Sequence, residues 1–313
     1  MIKDILDKSD LNYDDVLKLL EIENGSEDYY YLIYKANEYA RKTFSKGYIF
    51  TQIGLNTEPC SGNCKFCSLG RDNFVTEKCW SMTKPELVER LKRVPKFVSD
   101  VFLMTTADFD KDQYLDYCRT AREILPKSTR LVANFSDFDD AFGKELKNAG
   151  VEACYHIRRL REGIDTDISI ETREKTIDSI EKAGIELYYC IEPIGPEHTY
   201  AEIANEIIFA KEKQIDVMAV MRRVDVNADF SKEAGEITLL EVTKIVAVSM
   251  LAVKPKKSMN VHEPNAMSLI AGVNQLYAEE GGNPRDLVTE TSLGRGINAY
   301  QARKMLAEAN WTV

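Results

Sequence analysis

Residues 48–67 read YIFTQIGLNTEPCSGNCKFC. The stretch opens on a short apolar run, Tyr48–Leu55, with the length and texture of a β-strand, and passes into a loop carrying three cysteines. Working outward, seven further strand-like runs follow: Val101–Thr105, Arg130–Phe135, Glu152–Ile157, Glu186–Glu192, Asp216–Met221, Ser258–His262 and Gln275–Ala278. Between most of them lie helix-length segments rich in Glu, Lys and Leu, among them Thr83–Val94, Asp112–Leu125, Glu171–Ala183, Tyr200–Lys213 and Leu239–Val253. Eight strands with intervening helices predict an α/β fold, a (β/α)8 barrel of the TIM type. The cysteine loop, just after the first strand, then falls on the face where such barrels carry their chemistry.

Two helical patterns precede the first strand, at 10–22 and 27–45, so residues 1–46 read as a helical N-terminal extension. Asp10 and Ser26 are the expected N-caps, and Ile33, Ala36, Ala40 and Phe44 form the apolar stripe of the second helix. At the other end, residues 284–313 form a tail with a closing helix from Asn298 to Ala309. No internal repeat, low-complexity tract or linker stands out, and the 313 residues are expected to form one domain.

Composition narrows the function classes. At 44% hydrophobic the chain can bury a large core, yet no apolar run reaches the roughly 20 residues that cross a bilayer. Met1-Ile2-Lys3-Asp4 lacks the apolar core of a signal peptide, so a cytoplasmic location is expected and no membrane partner. The net charge of −10 comes without a sustained basic stripe, which argues against nucleic acid as a partner. Seven cysteines, an odd number, suit metal binding or buried thiols better than disulfides.

The strongest chemical signal is Cys60-Ser61-Gly62-Asn63-Cys64-Lys65-Phe66-Cys67. Thiolates separated by three and then two residues can wrap one face of a cubane [4Fe–4S] cluster and leave one iron without a protein ligand. S-adenosylmethionine can chelate that open iron through its amino and carboxylate groups. One electron from the cluster then breaks a carbon–sulfur bond and releases a 5′-deoxyadenosyl radical. Gly62 gives the loop freedom to turn around a cluster. A structural zinc site would ask for four ligands, and no second CxxC or HxxxH follows. A ferredoxin-type site would normally supply a fourth cysteine.

This CxxxCxxC pattern, with Phe66 before the last cysteine and a strand before the loop, resembles the radical S-adenosylmethionine superfamily. The wider chain looks like the branch that holds biotin synthase, the [FeFe]-hydrogenase maturase HydE and methylornithine synthase. The likeness runs from ANEYARKTFSKG, ending the second leading helix, to IAGVNQLYAEEGGNPRD near the C-terminus. It implies a [4Fe–4S] cluster on Cys60, Cys64 and Cys67, with Phe66 beside the adenine. Arg173, in ETREKTIDSIEKAGIELYY, matches an arginine that holds the cofactor's carboxylate, a task that suits a planar guanidinium; the bland alternative is a solvated helix arginine. CIEPIGPEHT, Cys190 to Thr199, stands at the family's glycine-rich fifth-strand motif, where Gly195 and Glu197 fit and the first glycine is replaced. The Gly-Gly-Glu usual after the second strand is absent, and Met104-Thr105-Thr106-Ala107 stands there, a departure biotin synthase shares. In HIRRLREGIDT, His156 to Thr166, Arg159 and Glu162 are expected at the methionyl part of the cofactor, or one arginine at a substrate carboxylate; otherwise the run is a surface charge cluster.

The remaining cysteines bear on the product. In the common biotin synthase, a second cluster takes its ligands from positions that fall here near Phe102 or Leu103, near Val132, at Tyr188 and around Asn260, none of them cysteine or arginine. Cys190, two residues beyond Tyr188, is expected to face the lumen with Glu192, and both are candidate catalytic residues. Cys154 is expected on the opposite face of its strand, Cys118 in a helix core beside Leu115 and Leu125, and Cys79 is unassigned. His262 ends the seventh strand, as a proton donor or as a satisfied structural histidine, with Asn260 and Glu263 near it.

The expected function is a radical enzyme of cofactor maturation or amino-acid rearrangement, acting on a small, polar, anionic molecule. Arg158, Arg159 and Arg161 give the reason to expect an anion. A ferredoxin- or flavodoxin-type donor would supply the electron. Sulfur insertion of the lipoate or biotin type, from an unusual auxiliary cluster, is the enzymatic alternative. A non-catalytic iron–sulfur scaffold or electron carrier is the other.

Overall fold

Alternating side chains build the barrel wall. Strand β1 (Tyr48–Gly54) is followed by two short strands, β2 (Asn56–Thr57) and β3 (Trp80–Ser81), which pair antiparallel in a small separate sheet. The other barrel strands are β4 (Asp100–Met104), β5 (Arg130–Asn134), β6 (Ala153–Tyr155), β7 (Glu186–Ile194), β8 (Val217–Arg222), β9 (Ser258–Val261) and β10 (Gln275–Ala278). Every pairing is parallel, and β10 closes back onto β1 to complete an eight-stranded barrel. The computed structural model describes residues 2–75, 78–225, 229–280 and 296–313. Of the expected tail, residues 284–295 lie outside the described residues, as do the last residues of the IAGVNQLYAEEGGNPRD segment.

Helices cover the outside. Before the barrel come α1 (Ile2–Leu6), α2 (Tyr13–Leu20) and α3 (Glu27–Thr43). Between strands lie α4 (Lys84–Arg93), α5 (Lys111–Ile124), α6 (Asp140–Asn148), α7 (Ile170–Lys182), α8 (Tyr200–Glu212), the short α9 (Asp229–Ala234), α10 (Leu239–Val253) and α11 (Ala266–Ile270). The closing helix is α12 (Ala299–Glu308). Ser26 caps α3 as expected, accepting from the Tyr29 N–H. The expected cap Asp10 is wrong: α2 starts later, and Asn12 and Asp15 form a reciprocal capping box there. Asp10 instead pairs with Lys211 at 2.8 Å.

The leading helices are part of the barrel's coat. Every residue of α10 from Val242 to Met250 is buried, because α3 and α8 cover one side and β8 the other. Each apolar side chain buried in this way contributes roughly 1.5–3 kcal/mol. Lys244 lies inside this packing and donates from Nζ to the Ile22 carbonyl at 2.9 Å and the Tyr200 hydroxyl at 3.0 Å. Among the described residues no helix is long and apolar enough to cross a membrane.

The N-terminal end of the barrel is plugged by polar side chains from the first residues of five strands. Asp100, fully buried, accepts from Arg130 at 2.9 Å, the Tyr188 hydroxyl at 2.8 Å and Gln275 at 3.3 Å. Ser258 donates to Gln275 at 3.1 Å, and Arg130 reaches on to Glu186 at 3.2 Å. Above this plug Phe50, Phe102, Val132, Ala153, Tyr188, Val217 and Tyr277 form an apolar floor. The lumen is therefore closed below and opens only toward the C-terminal ends of the strands.

Candidate active site at the barrel mouth

The loop after β1 is a run of tight turns. Asn63 N–H donates to the Cys60 carbonyl at 3.1 Å, Cys67 to Cys64 at 3.0 Å and Gly70 to Cys67 at 3.0 Å, while Cys60 N–H reaches the Leu69 carbonyl at 2.7 Å. These bonds turn the sulfurs of Cys60, Cys64 and Cys67 onto one cavity, the barrel lumen. The left-handed position in the loop is Asn63, at φ 46°, whose side chain is anchored by Asp72 at 2.8 Å and Asp167 at 3.0 Å. Gly62 has no such backbone and serves by leaving room: a Cβ there would stand 3.0 Å from Ile168.

A second loop, between β6 and α7, holds the first in place. Asp167 N–H donates to the Gly62 carbonyl at 3.0 Å, Lys65 N–H to the Asp165 carbonyl at 3.0 Å, and Arg71 pairs with Asp167 at 3.1 Å. Ala107 N–H points at Cys60 Sγ at 3.3 Å, a donor that a sulfur carrying negative charge accepts well.

The three cysteines are free and partly exposed. Burial pushes the Cys64 thiol up to about 12; the Arg159 guanidinium pulls the other way, and neighbouring Cys67 adds to the rise. Such a thiol becomes a thiolate when a cation takes the proton's place. Among the described residues, no three His, Cys, Asp or Glu side chains surround a point that one metal ion could occupy. Three thiols of one loop that share a cavity fit the ligand set of a multi-iron cluster, whose ligands sit on different irons.

The wall opposite the loop carries the inward positions of β6 and β7. Tyr155, Cys190, Glu192 and Arg159 line the lumen together. The Tyr155 hydroxyl donates to Glu192 at 2.6 Å, and Arg159 Nε stands 3.8 Å from the same carboxylate. Period-two alternation places Tyr188, Cys190 and Glu192 on one face, as expected. Cys154 and Cys118 lie together in the helix-side core with Tyr114, and Cys79 is exposed. His262 lines the lumen, its ring 4.8 Å from Tyr277 and 6.3 Å from Phe50. Phe102, Tyr188 and Asn260 line the cavity and Val132 lies in its floor, so the positions that lack second-cluster ligands do face inward. Phe66 also lines the cavity.

Arg173 is not a solvated helix arginine. It is 6% exposed and lines the cavity, donating from Nε to Glu162 at 3.3 Å and from Nη1 to Asp137 at 3.1 Å. Burial works to raise Asp137, but His156 at 3.0 Å and the Arg173 guanidinium outweigh it and hold the carboxyl down at about 2. Burial also lowers His156, which favours its neutral form.

Three expectations change. Of the three mouth arginines only Arg159 faces the lumen. Arg158 turns outward, pairing with Glu174 at 2.6 Å and Glu206 at 2.8 Å over the Phe209 ring, and Arg161 pairs with Asp165 at 3.5 Å. Arg158 to Arg161 lie in the loop beyond the end of β6 at Tyr155, where strand alternation no longer applies; Arg161 stands in a left-handed turn at φ 59°. Glu162 does not line the cavity; it takes the Arg159 N–H at 2.8 Å, the Thr166 hydroxyl at 2.7 Å and Arg173. Gly195 does not line it either. A Cβ there would collide with Arg223 and Glu197, so Gly195 makes room for their bidentate pair. Arg223, 2% exposed, does line the cavity. Sequence reasoning missed it, along with Tyr155, Tyr277, Asn134 and Gln52; counting inward positions along each strand would have found the last four.

No family model and no curated protein matches the chain. Solved structures do. A methylornithine synthase (PylB) superposes with a TM-score of 0.82 over 99% of this chain and 96% of that one, at 16% identity. The FeFe-hydrogenase maturase HydG from Carboxydothermus hydrogenoformans gives 0.81 over 99% and 78%, also at 16%. The chain shares their fold. Since the match spans nearly the whole chain, the fold shared with methylornithine synthase and HydG includes the leading helices as well as the barrel.

Proposed function

We propose that this chain is a cytoplasmic radical S-adenosylmethionine enzyme whose [4Fe–4S] cluster rests on Cys60, Cys64 and Cys67. In this reading it acts on a small polar molecule, in cofactor maturation or in amino-acid rearrangement, fields that the names methylornithine synthase and hydrogenase maturase also represent. One observation carries the reading: three free thiols of one loop open onto the same closed-ended lumen as Arg159, Arg173, Cys190, Glu192 and His262.

When bound and reduced, the cluster and S-adenosylmethionine supply a 5′-deoxyadenosyl radical, which takes a hydrogen atom from unactivated carbon. The chain's own residues do the rest. Arg173, fixed by Asp137 and Glu162, keeps Nη2 for the cofactor's carboxylate. Phe66 offers a face to the adenine. Arg159 orients an anionic group of the substrate, and Glu192 with Tyr155 a donor group. The polar plug and aromatic floor keep water from entering below, so a radical meets only bound molecules. His262 is placed to hold or give a proton at the lumen wall.

Of the arginines that line the lumen, Arg173 is given to the cofactor and Arg223 is paired with Glu197, so the case for an anionic substrate rests on Arg159. A ferredoxin- or flavodoxin-type protein supplies the electron, and nucleic acid and membrane have no part. Sulfur insertion is the weaker reading, since Cys190 is the lumen thiol outside the cluster loop and Phe102, Val132, Tyr188 and Asn260 offer no cluster ligands.

Anaerobic reconstitution with iron and sulfide tests the proposal. Iron close to four per chain, the content of one cubane, is expected, and 5′-deoxyadenosine should form with S-adenosylmethionine and dithionite. Cys64→Ala should lose both. Markedly more iron favours sulfur insertion; four irons without 5′-deoxyadenosine leave an iron–sulfur scaffold.

A further inference from the structure

Three exposed apolar side chains gather around the outside of the cysteine loop. Among the described residues eight large apolar side chains are exposed, and Val75, Ile164 and Ile170 are three of them. Hydrogen bonds tie their segments to the loop. Lys65 Nζ donates to the Ile164 carbonyl at 2.8 Å, and Val75 N–H donates to the Ser68 carbonyl at 3.1 Å. Three residues before Ile170, the Asp167 N–H donates to the Gly62 carbonyl at 3.0 Å. None of the three apolar side chains lines the lumen, and Ile164 is 61% exposed. Around them Lys65 pairs with Asp165, and Arg71 with Asp72 and Asp167. A single exposed isoleucine is ordinary, whereas a group of three with a polar rim marks a contact surface.

We propose that this face is the docking surface of the electron donor, and that the donor is a flavodoxin-type protein. This rests on the radical reading above and gives it a point of electron entry. Electron transfer falls off steeply with distance, so a carrier has to approach where the cluster lies nearest solvent. Below, the polar plug and the aromatic floor close the barrel. At the mouth, bound cofactor and substrate stand in the way. The turn from Cys64 to Cys67 is left, with its cysteines partly exposed and the Lys65 side chain 52% exposed between them. The chemistry of the patch selects the partner. A flavodoxin presents the apolar dimethylbenzene edge of its flavin, which Val75, Ile164 and Ile170 can cover, whereas a ferredoxin holds its cluster beneath polar backbone. Electron-transfer encounters bury little surface, under about 1,200 Å², so a patch centred on three side chains is large enough. One electron leaves the partner's reduced flavin and enters the cluster; no bond in this chain forms or breaks.

The test needs no knowledge of the substrate. Reconstituted holoenzyme is given S-adenosylmethionine and one of three reductants: dithionite, reduced flavodoxin or reduced ferredoxin. Ile164→Asp and Ile170→Asp should form 5′-deoxyadenosine with dithionite at the wild-type rate, because a small ion needs no docking surface. With limiting flavodoxin the rate should fall roughly tenfold, the effect of a charge placed at the centre of a contact, and the KM for flavodoxin should rise by as much. Calorimetry of the iron-loaded proteins with oxidised flavodoxin should show the same loss of binding. Ile270→Asp, exposed on α11 where that helix packs against α3 and α10, is the control and should match wild type throughout. Flavodoxin-driven turnover and binding that survive the two loop substitutions overturn the proposal, as does an equal loss with dithionite or with Ile270→Asp. A loss seen with ferredoxin alone overturns the choice of a flavin partner. Absence of 5′-deoxyadenosine from wild type with dithionite overturns the radical reading itself, and this proposal with it.

Discussion

Arg173 Nε and a Glu162 carboxylate oxygen lie 3.3 Å apart inside the wall of the barrel mouth, and Glu162 is turned away from the lumen. Glu162 thus acts through the arginine and through the backbone of Arg159, not on a ligand. Glu162→Gln should weaken S-adenosylmethionine binding about tenfold, since a charge-assisted hydrogen bond is worth about 1.5–3 kcal/mol. Anaerobic calorimetry of the single and double variants checks this. In an Arg173→Ala background the same change should have less effect; an undiminished loss there would mean that Glu162 does not act through Arg173.

Gly195 is a matter of space. Gly195→Ala drives a methyl into the Arg223–Glu197 pair and should cost about 1–3 kcal/mol, the range for overpacking. Removing the guanidinium first, in Arg223→Ala, should shrink the penalty. Denaturant unfolding of the four proteins gives the answer, and an equal penalty in both backgrounds would count against the steric account.

Asp137 ties stability to acid. Its folded carboxyl titrates at about 2, below the ordinary aspartate value of 3.8, so its contribution is fully present above about pH 4 and lost as the pH falls toward 2. The difference corresponds to about 2 kcal/mol. Unfolding free energies of wild type and Asp137→Asn should therefore differ by a steady amount above pH 4 and converge below it. A gap that persists to pH 2 would remove Asp137 as the cause.

The plug beneath the lumen should be costly to break. Asp100→Ala leaves Arg130 with Glu186 alone and strips the Tyr188 hydroxyl and Gln275 of their buried acceptor, and should destabilise by about 3–5 kcal/mol. Tyr188→Phe removes one hydrogen bond to Asp100 and should cost about 1 kcal/mol. Chemical denaturation measures both, and a larger loss for Tyr188→Phe than for Asp100→Ala would reverse the assignment of Asp100 as the hub.

Much of the site was legible because strand alternation is local. Once Glu186–Glu192 is read as a strand, Tyr188, Cys190 and Glu192 share a face by geometry alone. The short helices α1, α6, α9 and α11 were not, because five to nine residues give too little period to read. The arginine run failed for another reason. Arg158, Arg159 and Arg161 are chemically alike in sequence, and what separates them is the carboxylate each finds: Glu206 and Glu174 for the first, Asp165 for the last. Those partners lie on other elements or on the far side of a turn.

The barrel and the cysteine loop were already specified by the order of the residues. Strand-length apolar runs separated by helix-length amphipathic ones leave few ways to bury both, and three cysteines within one loop need no distant residue to converge. Only the tertiary structure decided what each charged side chain is for. Arg159 faces the lumen, Arg173 is fixed behind it by Asp137 and Glu162, and Gly195 yields its space to Arg223. These roles depend on pairing between residues far apart in the chain, and the energy of a buried charge is set by the partner that folding brings to it.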